Sequence, residues 1–186
     1  MRVFLAVDVD SEVRKKIAAL ERELRPAIKS ARWVREEGLH LTLRFFGEIS
    51  QAKAESVAEA LSRAFAGLPG FTMEIRGCGV FPDGRRPRVL WVSVEKPPEA
   101  VFALQSRAEA VARTLGFDPE KRRFEPHLTV ARFRGPVRNV DSILVACRER
   151  AFGVTSTAEA TLYESHLSPS GASYRKLRSY RLEPVG

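Results

Sequence analysis

The chain has three histidines, two cysteines and three side-chain amides (Gln51, Gln105 and Asn139) in 186 residues. Each shortage excludes something. Cys78 and Cys147 lie far apart and outside any Cys-x-x-Cys pattern, so neither a disulfide framework nor a thiolate zinc site is expected. The histidines show neither His-x-His nor His-x-x-x-His spacing, and threonine is a poor ligand, so no metal or other cofactor is expected. Gly-x-Ser-x-Gly and glycine-rich phosphate loops are missing, which removes the serine-nucleophile and nucleoside-triphosphate classes. The apolar stretch from Met1 to Val9 has only a strand's length and is closed by Asp8 and Asp10, too short for a signal-peptide core or a membrane span. Two ordinary thiols and no leader fit a reducing cytoplasm without membrane attachment. Scarce amides are one mark of heat adaptation, and with arginine far in excess of lysine the expectation is a thermophilic or a high-GC source.

What the chain does have is positive charge. Thirty-one Lys and Arg face 23 Asp and Glu, a net +8, and the class of partner this favours is a polyanion such as RNA or DNA. A hydrophobic content of 44% and this length suit one domain, or two small lobes sharing a core.

Two of the three histidines carry the same tripeptide, His40-Leu41-Thr42 and His127-Leu128-Thr129. Each copy continues with an aliphatic residue, Leu43 or Val130, and has a phenylalanine six places after its histidine, Phe46 or Phe133. With seven threonines in the chain, two such hits are a chance event of roughly half a percent. In a strand, residues two apart share a face, so His40 projects with Thr42 and His127 with Thr129, while Leu41, Leu43 and Phe45, and likewise Leu128 and Val130, turn to a core. Two such strands facing each other surround one small volume with two imidazoles and two hydroxyls. That suits a tetrahedral phosphate. Hydroxyls donate to its non-bridging oxygens, and imidazoles, which titrate near neutrality, take one proton and give another.

The order of elements reads β-α-β-α-β-β and then, after Pro97-Pro98, α-β-α-β-β. Val3 to Val7 and Leu39 to Phe46 read as strands. Val13, Ile17, Leu20 and Leu24 repeat at helical spacing behind Asp10 or Ser11 and ahead of Pro26. A second helix behind Ser50 places Ala54, Val57, Leu61 and Phe65 on one face. Phe71 to Ile75 alternates as a strand, Phe81 to Gly84 reads as a turn, and Val89 to Val94 as an apolar strand. The second half repeats the scheme with a helix through Leu104, Ala108, Val111 and Leu115, a strand from His127 to Phe133, and a short helix from Val140 to Cys147. Two or three strands finish the chain, near Thr157 to Leu167 and Tyr174 to Leu182, with Ser168-Pro169-Ser170-Gly171 as a turn. Helix, motif strand and helix thus occur once in each half, with the histidines 87 residues apart (127 − 40). The expected fold is α+β and bilobal, residues 1–186 forming a single two-lobed domain with an internal duplication (motifs at 40–43 and 127–130) and the motifs in the cleft between the lobes.

Trp33-Val34, His40 to Glu48, Gly79-Val80-Phe81-Pro82, Trp91-Val92, His127 to Arg132, and Leu162 to Leu167 with Gly171 and Tyr174 together resemble the two-histidine (2H) phosphoesterase superfamily. Within it they resemble the RNA 2′,3′-cyclic phosphodiesterases, also called 2′-5′ RNA ligases. The resemblance implies a pseudo-twofold fold with a basic cleft and metal-independent hydrolysis of RNA 2′,3′-cyclic phosphate ends to 2′-phosphates, with reversible 2′-5′ ligation by the same groups. It implies His40 as the proton donor to the 3′ oxygen and His127 as the proton acceptor from water; the residues alone do not separate the two. Thr42 and Thr129 would hold the phosphate, Arg132 would contact it, and Phe46 would stack on a base or wall the cleft. Strict alternation places Phe46 on the His40 face and Phe133 on the His127 face, but puts Arg132 opposite His127 unless the strand bulges or ends near Ala131. His166 matches no motif position and reads as a surface or structural residue. The loops Arg85-Arg86-Pro87-Arg88 and Lys121-Arg122-Arg123 could steer RNA to the cleft, or be solvated loops that do not contact it. The partner is then RNA with a 2′,3′-cyclic phosphate end, met by a monomer without obligate protein partner. Two other readings stay open: the same chemistry on a small cyclic nucleotide, and a non-catalytic RNA-binding protein.

Overall fold

A computed structural model describes residues 1–137, 140–168 and 171–184. The elements are β1 (Arg2–Asp8), α1 (Ser11–Leu24), β2 (Ala31–Trp33), a 3-10 turn (Glu36–Gly38), β3 (His40–Glu48), α2 (Gln51–Phe65), β4 (Phe71–Phe81), β5 (Val89–Glu95), α3 (Glu99–Thr114), β6 (His127–Phe133), α4 (Val140–Cys147), β7 (Ala151–Thr157), β8 (Glu159–Ser168) and β9 (Gly171–Arg181). The helices follow the apolar periodicity. α1 buries Val13, Ile17 and Leu20 and stops two residues before Pro26. α2 starts where the Ser50 hydroxyl accepts the Lys53 amide at 3.2 Å, and α3 buries Val101, Leu104, Ala108 and Val111.

The strands form one nine-stranded antiparallel sheet in the order β7-β4-β5-β6-β3-β1-β8-β9, with β2 added beside β6. The order is symmetric about the β6–β3 junction. Each lobe takes strands from both halves of the chain: β4, from the first half, joins β5 and β7, while β8 and β9, from the second, join β1. The fold is α+β and bilobal, as expected. The helices pack on one face, α2 against α3 and β9, α3 against β3, α1 against β7 and α4 against β4. Val3, Leu5 and Val7 of β1 join the helices in the main core, whereas Phe4 and Ala6 point to the opposite face and pack with Tyr163 and Tyr174. That opposite face carries the histidines.

Three features depart from the sequence reading. β4 runs on to Phe81 rather than stopping near Ile75. It passes its glycines through a register shift, where Gly77 has φ +75° and the Arg148 carbonyl leaves no room for a Cβ. β2 and β7 are short or weakly alternating strands that the pattern does not single out. Cys78 and Cys147 are joined in a disulfide, which corrects the expectation of two free thiols. The α4–β4 packing brings their Cα atoms to 5.6 Å, within disulfide reach, although 69 residues separate them in the chain. Pro169 and Ser170 of the expected turn lie outside the described residues.

Candidate active site

The two motif strands meet at a single register pair, Leu41 opposite Leu128. Antiparallel counting from that pair sets His40 across from Thr129 and Thr42 across from His127. The two imidazoles are therefore diagonal neighbours on one face, each beside the other strand's threonine, and both leucines point into the core. His40, Thr42, His127 and Thr129 are all half-buried.

Each imidazole is tethered in the same way. His40 Nδ1 lies 2.7 Å from the Gly38 carbonyl and His127 Nδ1 lies 2.6 Å from the Glu125 carbonyl. A carbonyl only accepts, so Nδ1 donates in both and Nε2 of the neutral ring is left as a proton acceptor turned to the cleft. Aromatic rings hold the two imidazoles in place. Phe4 stacks on His40 at 4.9 Å and Tyr174 meets it edge-on at 5.2 Å. Phe81 and Trp91 flank His127 at 5.0 and 6.1 Å while stacking on each other. Gly79 makes this possible, because a Cβ there would lie 2.2 Å from the Trp91 ring.

Burial pushes the His40 imidazole down to about 4. The Gly38 carbonyl and the Asp8 carboxylate oppose the shift, and Arg132 and His127 add to it. Burial lowers His127 too, with Arg132 acting the same way and Glu125 opposing. Asp8 sits opposite His40 in the β1–β3 register. The Tyr163 hydroxyl donates to both Asp8 oxygens at 2.8 and 2.7 Å, and Lys176 lies 3.6 Å away. Burial and this carboxylate push Tyr163 well up, so its hydroxyl keeps the proton it donates.

Both motif strands bulge at the same place. In β3, Leu5 pairs with Arg44 and Ala6 with Thr42, leaving Leu43 as the extra residue. In β6, Leu90 pairs with Ala131 and Trp91 with Thr129, leaving Val130 as the extra residue. Beyond each bulge the alternation inverts. Arg132 thereby joins the His127 face, where it is exposed and acts electrostatically on both imidazoles. Phe133 does not share that face as parity implied; it is buried in the core. Phe46 is corrected in the same way. It is 5% exposed, packs edge-on with Phe117 at 5.3 Å and belongs to the core. Its neighbour Phe45, 46% exposed and in ring contact with Phe4, takes the place on the His40 face.

His166 lies on the surface of the β8–β9 hairpin with Nε2 3.0 Å from Glu164, as a structural residue would. The Arg85 to Arg88 loop is solvated, its turn held by Asp83 accepting the Arg85 and Arg86 amides. Lys121 and Arg122 line a groove of about 460 Å³ with Phe45 and Phe117. Asp8, Phe4 and Tyr163 escaped the sequence reading, and Phe45, which alternation places in the core, is exposed because the bulge at Leu43 turns it outward. Asp8 read only as the end of a strand, and nothing in local spacing ties Tyr163 to a residue so distant in the chain.

Paired strand-borne imidazoles and threonines at the centre of a pseudo-twofold antiparallel sheet define a two-histidine phosphoesterase. The chain belongs to the LigT like Phosphoesterase family, whose profile matches residues 7–91 and again residues 92–174. It is 36% identical over 185 residues to the RNA 2′,3′-cyclic phosphodiesterase of Methanothermobacter thermautotrophicus, covering 98% of this chain and 99% of that one. It is 31% identical over 183 residues to the protein of the same name from Thermotoga maritima, covering 98% and 96%. Among solved structures, TT0787 of Thermus thermophilus superposes with a TM-score of 0.85 at 27% identity, over 99% of both chains. Escherichia coli LigT complexed with 3′-AMP superposes with 0.79 at 27% identity, over 97% of both.

Proposed function

We propose that this protein hydrolyses the 2′,3′-cyclic phosphate at RNA ends to a 2′-phosphate, with His127 as general base and His40 as general acid. The observation that carries the reading is the matched pair of imidazoles, each with Nδ1–H tied to a carbonyl and Nε2 free, set diagonally across the Leu41–Leu128 junction. A phosphate between them is reached by one Nε2 on each side. His127 Nε2 takes a proton from water as the water oxygen attacks phosphorus. The bond from phosphorus to the 3′ oxygen breaks, and His40 Nε2–H protonates that oxygen. Thr42 and Thr129 donate to the non-bridging oxygens, and Arg132 balances the charge that gathers on them. Phe45 and Arg132, at matching positions beyond the two bulges, flank the site on the two strands and suit a stacked base. The resemblance assigns acid and base. The Asp8 carboxylate, opposite His40 in the neighbouring strand and held by Tyr163, opposes the lowering of that imidazole and supports a proton there once an anion is bound. The relatives' names support the substrate. Running in reverse, the same groups join a cyclic end to a 5′-hydroxyl; water at high concentration favours hydrolysis.

The protein acts as a cytoplasmic monomer in this reading. The disulfide suits that compartment in a heat-adapted organism, where intracellular proteins keep such bonds. The deciding experiment is turnover of an oligoribonucleotide bearing a 2′,3′-cyclic end. His40→Ala and His127→Ala are each expected to lose about 10²–10⁴-fold in kcat, the worth of one positioned proton transfer. Full activity in both variants contradicts the mechanism. RNA binding without turnover in the unmodified protein returns the weight to a binding role.

A further inference from the structure

The cavity beside His40, about 780 Å³, is far larger than one phosphate requires. It is lined by Asp8, Tyr163 and Tyr174, by Lys176 of β9, by Arg35 beside the 3-10 turn, and by Arg14 from the first turn of α1. Asp8 is already engaged by Tyr163 and Lys176. The other lining carboxylate, Glu37, is exposed. Arg14 is half-buried, and among the described residues it forms no ion pair with a carboxylate. Tyr174, which lines the cavity together with His40, lies in the positive field of Arg132, Arg2 and Arg32, which come from three different strands. A half-buried guanidinium facing an open cavity, with Arg35 and Lys176 also on the lining and Lys176 itself shared with Asp8 and with Glu159 at 3.4 Å, is a place for a second anion.

We propose that this cavity is a phosphodiester subsite, in which Arg14, with Arg35 and Lys176 beside it, holds the phosphate on the 5′ side of the terminal nucleotide while the cyclic phosphate lies between the imidazoles. The proposal rests on the RNA-end reading and sharpens it. An RNA end carries that phosphate and a nucleoside 2′,3′-cyclic phosphate does not, so the subsite is what separates RNA from the small cyclic nucleotide.

The test compares adenosine 2′,3′-cyclic phosphate with the same compound bearing a 5′-phosphate. The unmodified protein is expected to favour the 5′-phosphorylated compound about tenfold in kcat/KM, the order of one charge-assisted contact. Arg14→Ala brings that ratio to about one, and Arg14→Lys, which keeps the charge, retains a several-fold preference. A ratio near one in the unmodified protein, or a ratio that Arg14→Ala leaves intact, overturns the subsite. If neither compound turns over, it is the phosphodiesterase reading that fails. Calorimetry with adenosine 2′-phosphate and adenosine 2′,5′-bisphosphate then decides the subsite by itself. About tenfold tighter binding of the bisphosphate, lost in Arg14→Ala, supports it, and equal binding overturns it.

Discussion

At the scale of single residues, the proposed chemistry turns on the state of two imidazoles. Both are held neutral by burial, His40 the more clearly, down to about 4. A neutral ring whose Nδ1–H is tied to a carbonyl offers Nε2 as a base; the acid must acquire its proton before it can act. The competent form has one imidazole protonated and the other neutral, and its population peaks between the two lowered values. The profile of kcat/KM is therefore expected to be bell-shaped with its maximum below pH 6.5, falling on the acid side as both rings charge and on the alkaline side as both lose their protons. Bound substrate carries a negative charge into the site, so the kcat profile shifts to higher pH. A kcat/KM still rising through pH 7.5 contradicts this account. The lowered value of His40 also couples to stability. The unfolded chain binds a proton at this histidine more readily than the folded one. The contribution is present above 6.5 and lost as pH falls through about 4.

At the scale of elements, the two β-bulges decide which side chains reach the cleft. Most of the fold is legible in the sequence. Apolar spacing marks α1 to α4, and the duplicated tripeptide marks β3 and β6 as an equivalent pair. Both depend on periodicities that a regular helix or strand obeys. The bulges at Leu43 and Val130 are the departures that matter at the site, and alternation counted across them assigns Arg44 to Phe46 and Ala131 to Phe133 to the wrong face; a second shift in β3, at Phe46, follows. That is why Arg132 is exposed on the site face and why Phe45, not Phe46, stands there. Asp8 is illegible for another reason: its partners Tyr163 and Lys176 lie in strands that only the tertiary sheet order brings alongside. The bulge in β3 makes a sharp contrast testable. Phe46→Ala is expected to cost about 3–5 kcal/mol of stability, as truncating a core phenylalanine does. Phe45→Ala is expected to leave the melting temperature nearly unchanged and to weaken kcat/KM on cyclic-phosphate RNA by about tenfold, roughly one stacked base. The reverse pattern returns Phe46 to the cleft.

At the scale of the whole molecule, the crossed strands bind the halves together. Neither half can complete its lobe without strands from the other, and the family profile matches each half in turn. We read residues 1–186 as one cooperative two-lobed unit with an internal duplication. The Cys78–Cys147 bond ties α4 to β4 across the same divide. Closing a loop of that length restricts the unfolded chain by about 4 kcal/mol in the entropic account. Thermal unfolding is accordingly expected as one transition that moves to lower temperature under reductant. Two transitions, or identical melting with and without reductant, argue against it.

The central claim is that His40 and His127 act on a phosphate held between them, with the 3′ oxygen leaving on the His40 side. The measurement that bears on it most directly is the product formed from a short RNA ending in a 2′,3′-cyclic phosphate, with EDTA present throughout. The account predicts full conversion to a 2′-phosphate, undiminished by the chelator. A 3′-phosphate product, or activity that EDTA abolishes, contradicts it.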